Sequence, residues 1–255
     1  MSDQDRGAAD AESIIGAIAE ARNAALSALG GDVRLVDLTR VLGPDSVMWP
    51  GSLAPSVIDR ENSADGSTSR VMQLHEHSGT HLDAPSHYVP GGDDTATLAL
   101  DRLVVAARVL DISAQARRDP NATLQPETVL AHESEYGPIP PGSAVLLHTG
   151  WTPHFADAAT DFAFPAFGVE AARLLVERGV VGLGVDSLGI DPGNAGMAPV
   201  HRTVTHRAGL WHLENLTNLD QLPPVGALLI AGVPRLAGGT GFPTRAFAMV
   251  PGSFG

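Results

Sequence analysis

Residues 77–87 read His77-Ser78-Gly79-Thr80-His81-Leu82-Asp83-Ala84-Pro85-Ser86-His87, three imidazoles and one carboxylate in eleven positions. Neutral imidazole nitrogen and carboxylate oxygen are ligands that divalent zinc and manganese accept. The spacing also constrains the backbone. His77 and His81 stand four apart, as on one face of a helix, whereas His81 and Asp83 stand two apart, as on one face of an extended segment. No single regular element meets both conditions, and Gly79 and Pro85 oppose an unbroken helix. The reading is a bent loop leaving a strand, with side chains converging on one cation. A polar loop of separately satisfied histidines is the plainer alternative, and the density of imidazoles speaks against it.

Outward from this stretch the chain alternates between short apolar runs and helical patterns. Strands are expected over 33–38, 70–75, 103–110, 142–148, 180–186, 210–216, 227–233 and 244–250, where alternation or β-branched runs are bounded by turn residues. Helices are expected over 126–133, 168–178 and 200–208. The order points to one α/β domain with a mixed sheet. An amphipathic helix is expected over 10–29, with Ile14, Ile15, Ile18, Ala21, Ala25 and Leu29 near one face and Gly30-Gly31 ending it. Residues 1–30 are therefore read as an extension that packs on the domain or makes a dimer contact, and 31–255 as the domain itself.

Other segments join the histidine stretch in resembling one family. The pattern His-x-Gly-Thr-His-x-Asp-x-Pro-x-His at 77–87 is similar to the signature of the cyclase family of metal-dependent hydrolases, which includes kynurenine formamidases and isatin hydrolases. Val36-Asp37-Leu38-Thr39 with Met48-Trp49-Pro50-Gly51 resembles the family's opening strand and turn. Val145 to Trp151, Gly184-Val185-Asp186-Ser187, Ile190-Asp191-Pro192, His201, Glu214-Asn215-Leu216, Gly239-Thr240-Gly241 and Arg245-Ala246 follow in family order. The resemblance covers about residues 34–250. It implies a central barrel-like mixed β-sheet packed by helices. It implies His77, His81 and Asp83 as metal ligands, with His201 and Glu214 completing a second position bridged by Asp83. His206 competes with His201 for that role, and on a strand His212 would share the face of Glu214. One or two divalent ions per chain are expected, zinc or manganese.

The family uses the position of His87 as a general acid/base. The chemistry agrees with that use: a metal lowers the pKa of bound water, and a histidine near its own pKa can carry the proton to a leaving group. A fourth metal ligand is the competing role for His87. Trp49 is read as lining a site for a flat aromatic substrate, with core packing as the alternative. His148 and Thr149, at a strand end, are read as donors to a substrate or product carboxylate. Gly238 to Gly241 lacks the Lys-Ser/Thr of a phosphate-binding loop and is read as a tight turn near the metal. The implied reaction is hydrolysis of an amide-type C–N bond, in a cyclic amide or an aryl formamide. Lactone hydrolysis, ring closure and a non-catalytic metal-binding role are the alternatives.

Composition narrows the field. The net charge is −13, and all 16 basic residues are Arg; such acidity opposes nonspecific nucleic-acid binding. Cysteine is absent, which removes disulfides, thiolate nucleophiles and thiolate metal ligands. Ser78 and Ser86 have no Gly-x-Ser-x-Gly elbow around them. The polar N-terminus is unlike a secretory signal, and no apolar run reaches 18 residues, so a cytoplasmic protein without a membrane span is expected. The expected partners are a small-molecule substrate and further copies of the chain, as a homodimer or larger assembly.

Overall fold

The computed structural model describes residues 32–62, 65–151, 163–193 and 195–252. The helix expected over 10–29, and with it the extension 1–30, lies outside the described residues. Thirteen strands occur among those residues: β1 (Val33–Asp37), β2 (Ser56–Asn62), β3 (Thr68–Gln73), β4 (His81–Asp83), β5 (Val104–Asp111), β6 (Thr123–Leu124), β7 (Ala144–His148), β8 (Ala166–Phe167), β9 (Gly182–Val185), β10 (Trp211–Glu214), β11 (Ala227–Gly232), β12 (Gly241–Pro243) and β13 (Arg245–Pro251). The α-helices are α1 (Ser113–Ala116), α2 (Pro126–Tyr136) and α3 (Val169–Glu177).

Nine of these strands make one curled mixed sheet, in the order β1-β13-β11-β5-β7-β9-β10-β4-β12. The middle strands β5, β7, β9 and β10 run parallel. Both flanks are antiparallel. Burial follows from that arrangement. Every residue of β9 and all but the last of β7 is buried, as parallel strands covered on both faces require. The antiparallel strand β13 alternates buried and more exposed residues instead.

Alternate residues of β7 serve opposite faces. Ala144 and Leu146 join an apolar cluster with Leu82, Trp211, Leu213 and Ala248. Val145 and Leu147 join another with Leu183, Val185, Val129 of α2 and Ala171, Ala172 and Leu175 of α3. The helices therefore cover one face of the sheet. Position by position, His212 is the sheet neighbour of Leu183 on one side and of Asp83 on the other. His81, Asp83, His212 and Glu214 thus stand on the helix-covered face, while Leu82 and Leu213 between them point into the opposite core.

Four expectations change in detail. The histidine stretch is not all loop: His81–Asp83 is a strand inside the sheet, with a bent approach at Gly79, φ +60°, and a 3₁₀ turn after it at Pro85–His87. The strand expected to feed it, β3, belongs to a separate two-stranded hairpin with β2. The glycine-rich turn ends in a short edge strand, β12, paired with β4. The helix expected over 200–208 is a π-helical turn, Val200–Thr205, followed by a 3₁₀ turn, His206–Ala208.

Candidate metal centre

Antiparallel pairing of β4 with β10 sets His81 opposite Glu214 and Asp83 opposite His212. Strand β4 therefore supplies His81 and Asp83, β10 supplies Glu214, and the preceding loop and the π-helical turn add one imidazole each, His77 and His201. Asp83 lies at the centre. Its Oδ1 is 2.5 Å from His77 Nδ1 and 3.2 Å from His81 Nε2, and its Oδ2 is 3.5 Å from His201 Nε2. Glu214 closes the group, 3.5 Å from His81 Nε2 and 3.3 Å from His201 Nε2. Metal–ligand bonds of about 2.0–2.2 Å place neighbouring ligand atoms roughly 3.3 Å apart in a tetrahedral set, so the separations of 3.2 to 3.5 Å among Asp83, Glu214, His81 and His201 suit a small divalent ion, while the shorter His77–Asp83 contact is a hydrogen bond.

Hydrogen bonds aim the rings. His81 Nδ1 is 2.8 Å from the carbonyl of Gly79, which can only accept, so that nitrogen carries the proton and Nε2 turns its lone pair towards the carboxylates. His201 Nδ1 likewise donates to Asp191 Oδ2 at 2.6 Å. Asp191 also accepts the backbone N–H groups of Val200 and His201, so one carboxylate holds both the start of the π-helical turn and the ring it presents. The backbone N–H of Ile190 fixes Glu214 Oε1 at 2.8 Å. Imidazole lone pairs facing carboxylate oxygens repel unless positive charge lies between them. That donor chemistry fits the metal that the histidine motif implies.

The electrostatics agree. Burial opposes charge on Asp83, yet the imidazoles of His77 and His81 outweigh it and hold the carboxyl well below its usual range. Burial also opposes charge on His81, but Asp83 and then Glu214 push its imidazole up to about 9. His201 is raised in the same way, by Asp191, Asp83 and Glu214 against burial. The two buried carboxylates therefore draw positive charge onto the ligand nitrogens, in the form of protons or of a metal ion.

A cavity of about 430 Å³ opens on this cluster. Its wall includes the five ligand candidates, His87, Tyr88 and Trp49. His87 stacks on His77 with ring centroids 4.0 Å apart, and burial above all pushes its imidazole down to about 4, with Asp83 pulling the other way. Trp49 is 49% exposed and meets Phe164 edge-on at 6.2 Å, so it belongs to the cavity mouth more than to the core.

His206 is buried near His201 but neither of its ring nitrogens has a hydrogen-bond partner, and it is not in the cavity wall. One of its ring nitrogens lies within 4.8 Å of ligand atoms of Asp83, His201 and His212, but the closer contacts to Asp83 and Glu214, at 3.5 and 3.3 Å, belong to His201. His148 and Thr149 also stand outside the cavity wall. Thr149 gives its N–H and hydroxyl to Asp186, and His148 Nδ1 is 3.2 Å from Asp111. They brace the end of β7 where substrate donors were expected. Sequence reasoning assigned no role to Asp191 or Tyr88. The first sits in a motif already noted, and the second directly follows His87.

The Cyclase family model matches residues 36–192, which is more than half of the chain. The chain belongs to the cyclase family. It is 36% identical to the isatin hydrolase of Roseibium aggregatum, over 89% of this chain and 97% of that protein. It is 30% identical to the kynurenine formamidase of Salinibacter ruber, over 83% of this chain and 95% of that one. A crystal structure of an isatin hydrolase bound to the product analogue thioisatinate superposes with a TM-score of 0.80 at 33% identity, covering 98% of this chain and all of that one. The cyclase-family fold expected from the motifs is thereby established, and with it a metal-dependent hydrolase.

Proposed function

We propose that this cyclase-family chain hydrolyses the C–N bond of a small aromatic substrate, a cyclic amide of the isatin kind or an aryl formamide. The observation that carries the reading is the convergence of five ligand candidates, His87 and an aromatic mouth on one cavity. His77, His81, Asp83, His201 and Glu214 hold one or two zinc or manganese ions. When bound, such an ion activates water and polarises the scissile carbonyl. Trp49 offers a flat apolar face to the substrate ring. His87, uncharged at neutral pH, accepts a proton at a ring nitrogen and returns it to the leaving nitrogen. Tyr88, packed against His87 and His201 with centroids 4.4 and 5.2 Å away, limits the motion of both rings.

The test is metal content together with turnover of isatin, N-formylkynurenine and a lactone panel. Metal-dependent turnover of isatin or N-formylkynurenine supports the reading. Lactone turnover alone, or bound metal with no turnover of any of them, overturns it.

We further propose that the chain works in the cytoplasm as a homo-oligomer. The β2–β3 hairpin supports the assembly. A two-stranded ribbon is marginal by itself in water, and this one exposes Ile58, Val71 and Met72. In light scattering, the wild type is expected at twice its chain mass or more, and Met72→Asp is expected to shift the population towards monomer. A monomeric wild type removes the proposal. Among the described residues, no helix is long and apolar enough to cross a membrane.

A further inference from the structure

We infer that Glu76 and Thr240 form a positioning pair that fixes which nitrogen of His77 is free to bind the metal. The inference rests on the reading of His77 as a ligand. Thr240 Oγ1 lies 2.6 Å from Glu76 Oε2 and 3.1 Å from His77 Nε2. A carboxylate has no proton to give, so the single hydroxyl proton goes to Glu76. The hydroxyl oxygen is then left with lone pairs only, and it can meet His77 solely by accepting from Nε2–H. Nε2–H is thereby held on Thr240, so Nδ1, hydrogen-bonded to Asp83 Oδ1 at 2.5 Å, is the nitrogen left for the centre, its proton giving way when an ion binds.

The backbone is arranged to hold this relay. Thr240 N–H donates to the same Glu76 oxygen at 3.0 Å, and its carbonyl accepts from Ala84 N–H at 2.9 Å. The next residue must be glycine: a Cβ on Gly241 would lie 2.6 Å from His77 Cε1 and 2.7 Å from the carbonyl oxygen of Leu82. The close approach of β12 to β4 thus brings the hydroxyl within reach of the ring. His81 and His201 have their rings set by Gly79 and Asp191, so Glu76–Thr240 supplies the equivalent for the remaining imidazole.

The pair makes an unusual prediction. With Glu76 removed, the Thr240 hydroxyl is free to donate to Nε2, which moves the ring proton to Nδ1 and blocks the ligand atom. With the hydroxyl removed as well, that wrong assignment is no longer enforced. Zinc(II) affinity is measured on the full chain by competition with a chromogenic chelator, for wild type, Thr240→Val, Thr240→Ser, Glu76→Gln, Glu76→Ala, the double variant Glu76→Ala/Thr240→Val, and His77→Ala. Removing a partner that orients a metal ligand costs about 10- to 100-fold in metal affinity.

We expect Thr240→Val to weaken zinc binding by about tenfold or more and Glu76→Ala by at least as much. The double variant is expected to bind no more weakly than Glu76→Ala alone. Thr240→Ser, and Glu76→Gln through its carbonyl oxygen, should remain near wild type. Wild-type affinity in both Thr240→Val and Glu76→Ala overturns the pair. So do losses that simply add in the double variant, or a Thr240→Ser as weak as Thr240→Val, because those mark plain structural damage. If instead wild type binds no zinc, or His77→Ala binds it unchanged, the ligand role of His77 is what fails.

Discussion

His87→Ala is expected to keep its metal and its substrate affinity while losing about 10²- to 10⁴-fold in kcat, the range for a general acid/base group. Two placements compete for His87. Its ring packs over His77 and lines the cavity, as a proton carrier must. It also has a ring nitrogen within 4.8 Å of ligand atoms of His77 and Asp83, as a fourth ligand would. The variant separates them. A metal-free His87→Ala means that His87 is a ligand. A metal-loaded variant with nearly wild-type kcat means that the proton travels by another group. With burial holding the ring near 4, His87 is neutral at working pH, as both a proton acceptor and a metal ligand must be, so the variant and not the pKa decides.

The larger loss is expected from Asp83→Ala, with metal content falling towards zero and hydrolysis towards background. Its carboxylate meets three imidazoles, those of His77, His81 and His201, where that of Glu214 meets two. Elemental analysis after exhaustive dialysis reads the outcome, and full occupancy would remove Asp83 from the centre. Chelating the wild type reports on the same energy. An ion present at a thousandfold above its Kd stabilises the fold by about 4 kcal/mol. That corresponds to a fall in Tm on the order of 10 °C for a domain of this size. A Tm indifferent to chelator would mean that the ion is not bound in the folded chain.

Much of this was legible because the informative residues are local. Residues 77–87 carry ligand chemistry in their own spacing, and the alternating or apolar runs of β5, β7, β9, β11 and β13 state their burial directly. What escaped depends on pairing between distant segments. Three-residue strands such as β4 and β12 have too few residues to show a period. They are strands only because β10 lies beside the one and β4 beside the other. His148 and Thr149 looked like ligand-facing donors at a strand end, and only the fold reveals that Asp186, 37 residues on from Thr149, takes the threonine's hydrogen bonds. Asp191 was visible as a residue but not as the partner of His201, because the two are ten positions apart in sequence and meet only through the π-helical turn that carries His201.

The alternation along β4 and β10 has a bearing on how errors in folding are avoided. Leu82 faces Leu213 across the two strands, with His81–Glu214 on one side of that pair and Asp83–His212 on the other. A slip of one residue between the strands would set leucine against charge and turn ligands into the apolar core, since side chains alternate strictly along a strand. Both leucines are fully buried. They act as a proofreading pair: their dislike of water selects the one alignment in which four polar neighbours meet. A polar substitution at Leu82 would therefore be felt as misalignment of the centre, in a residue that never touches metal or substrate.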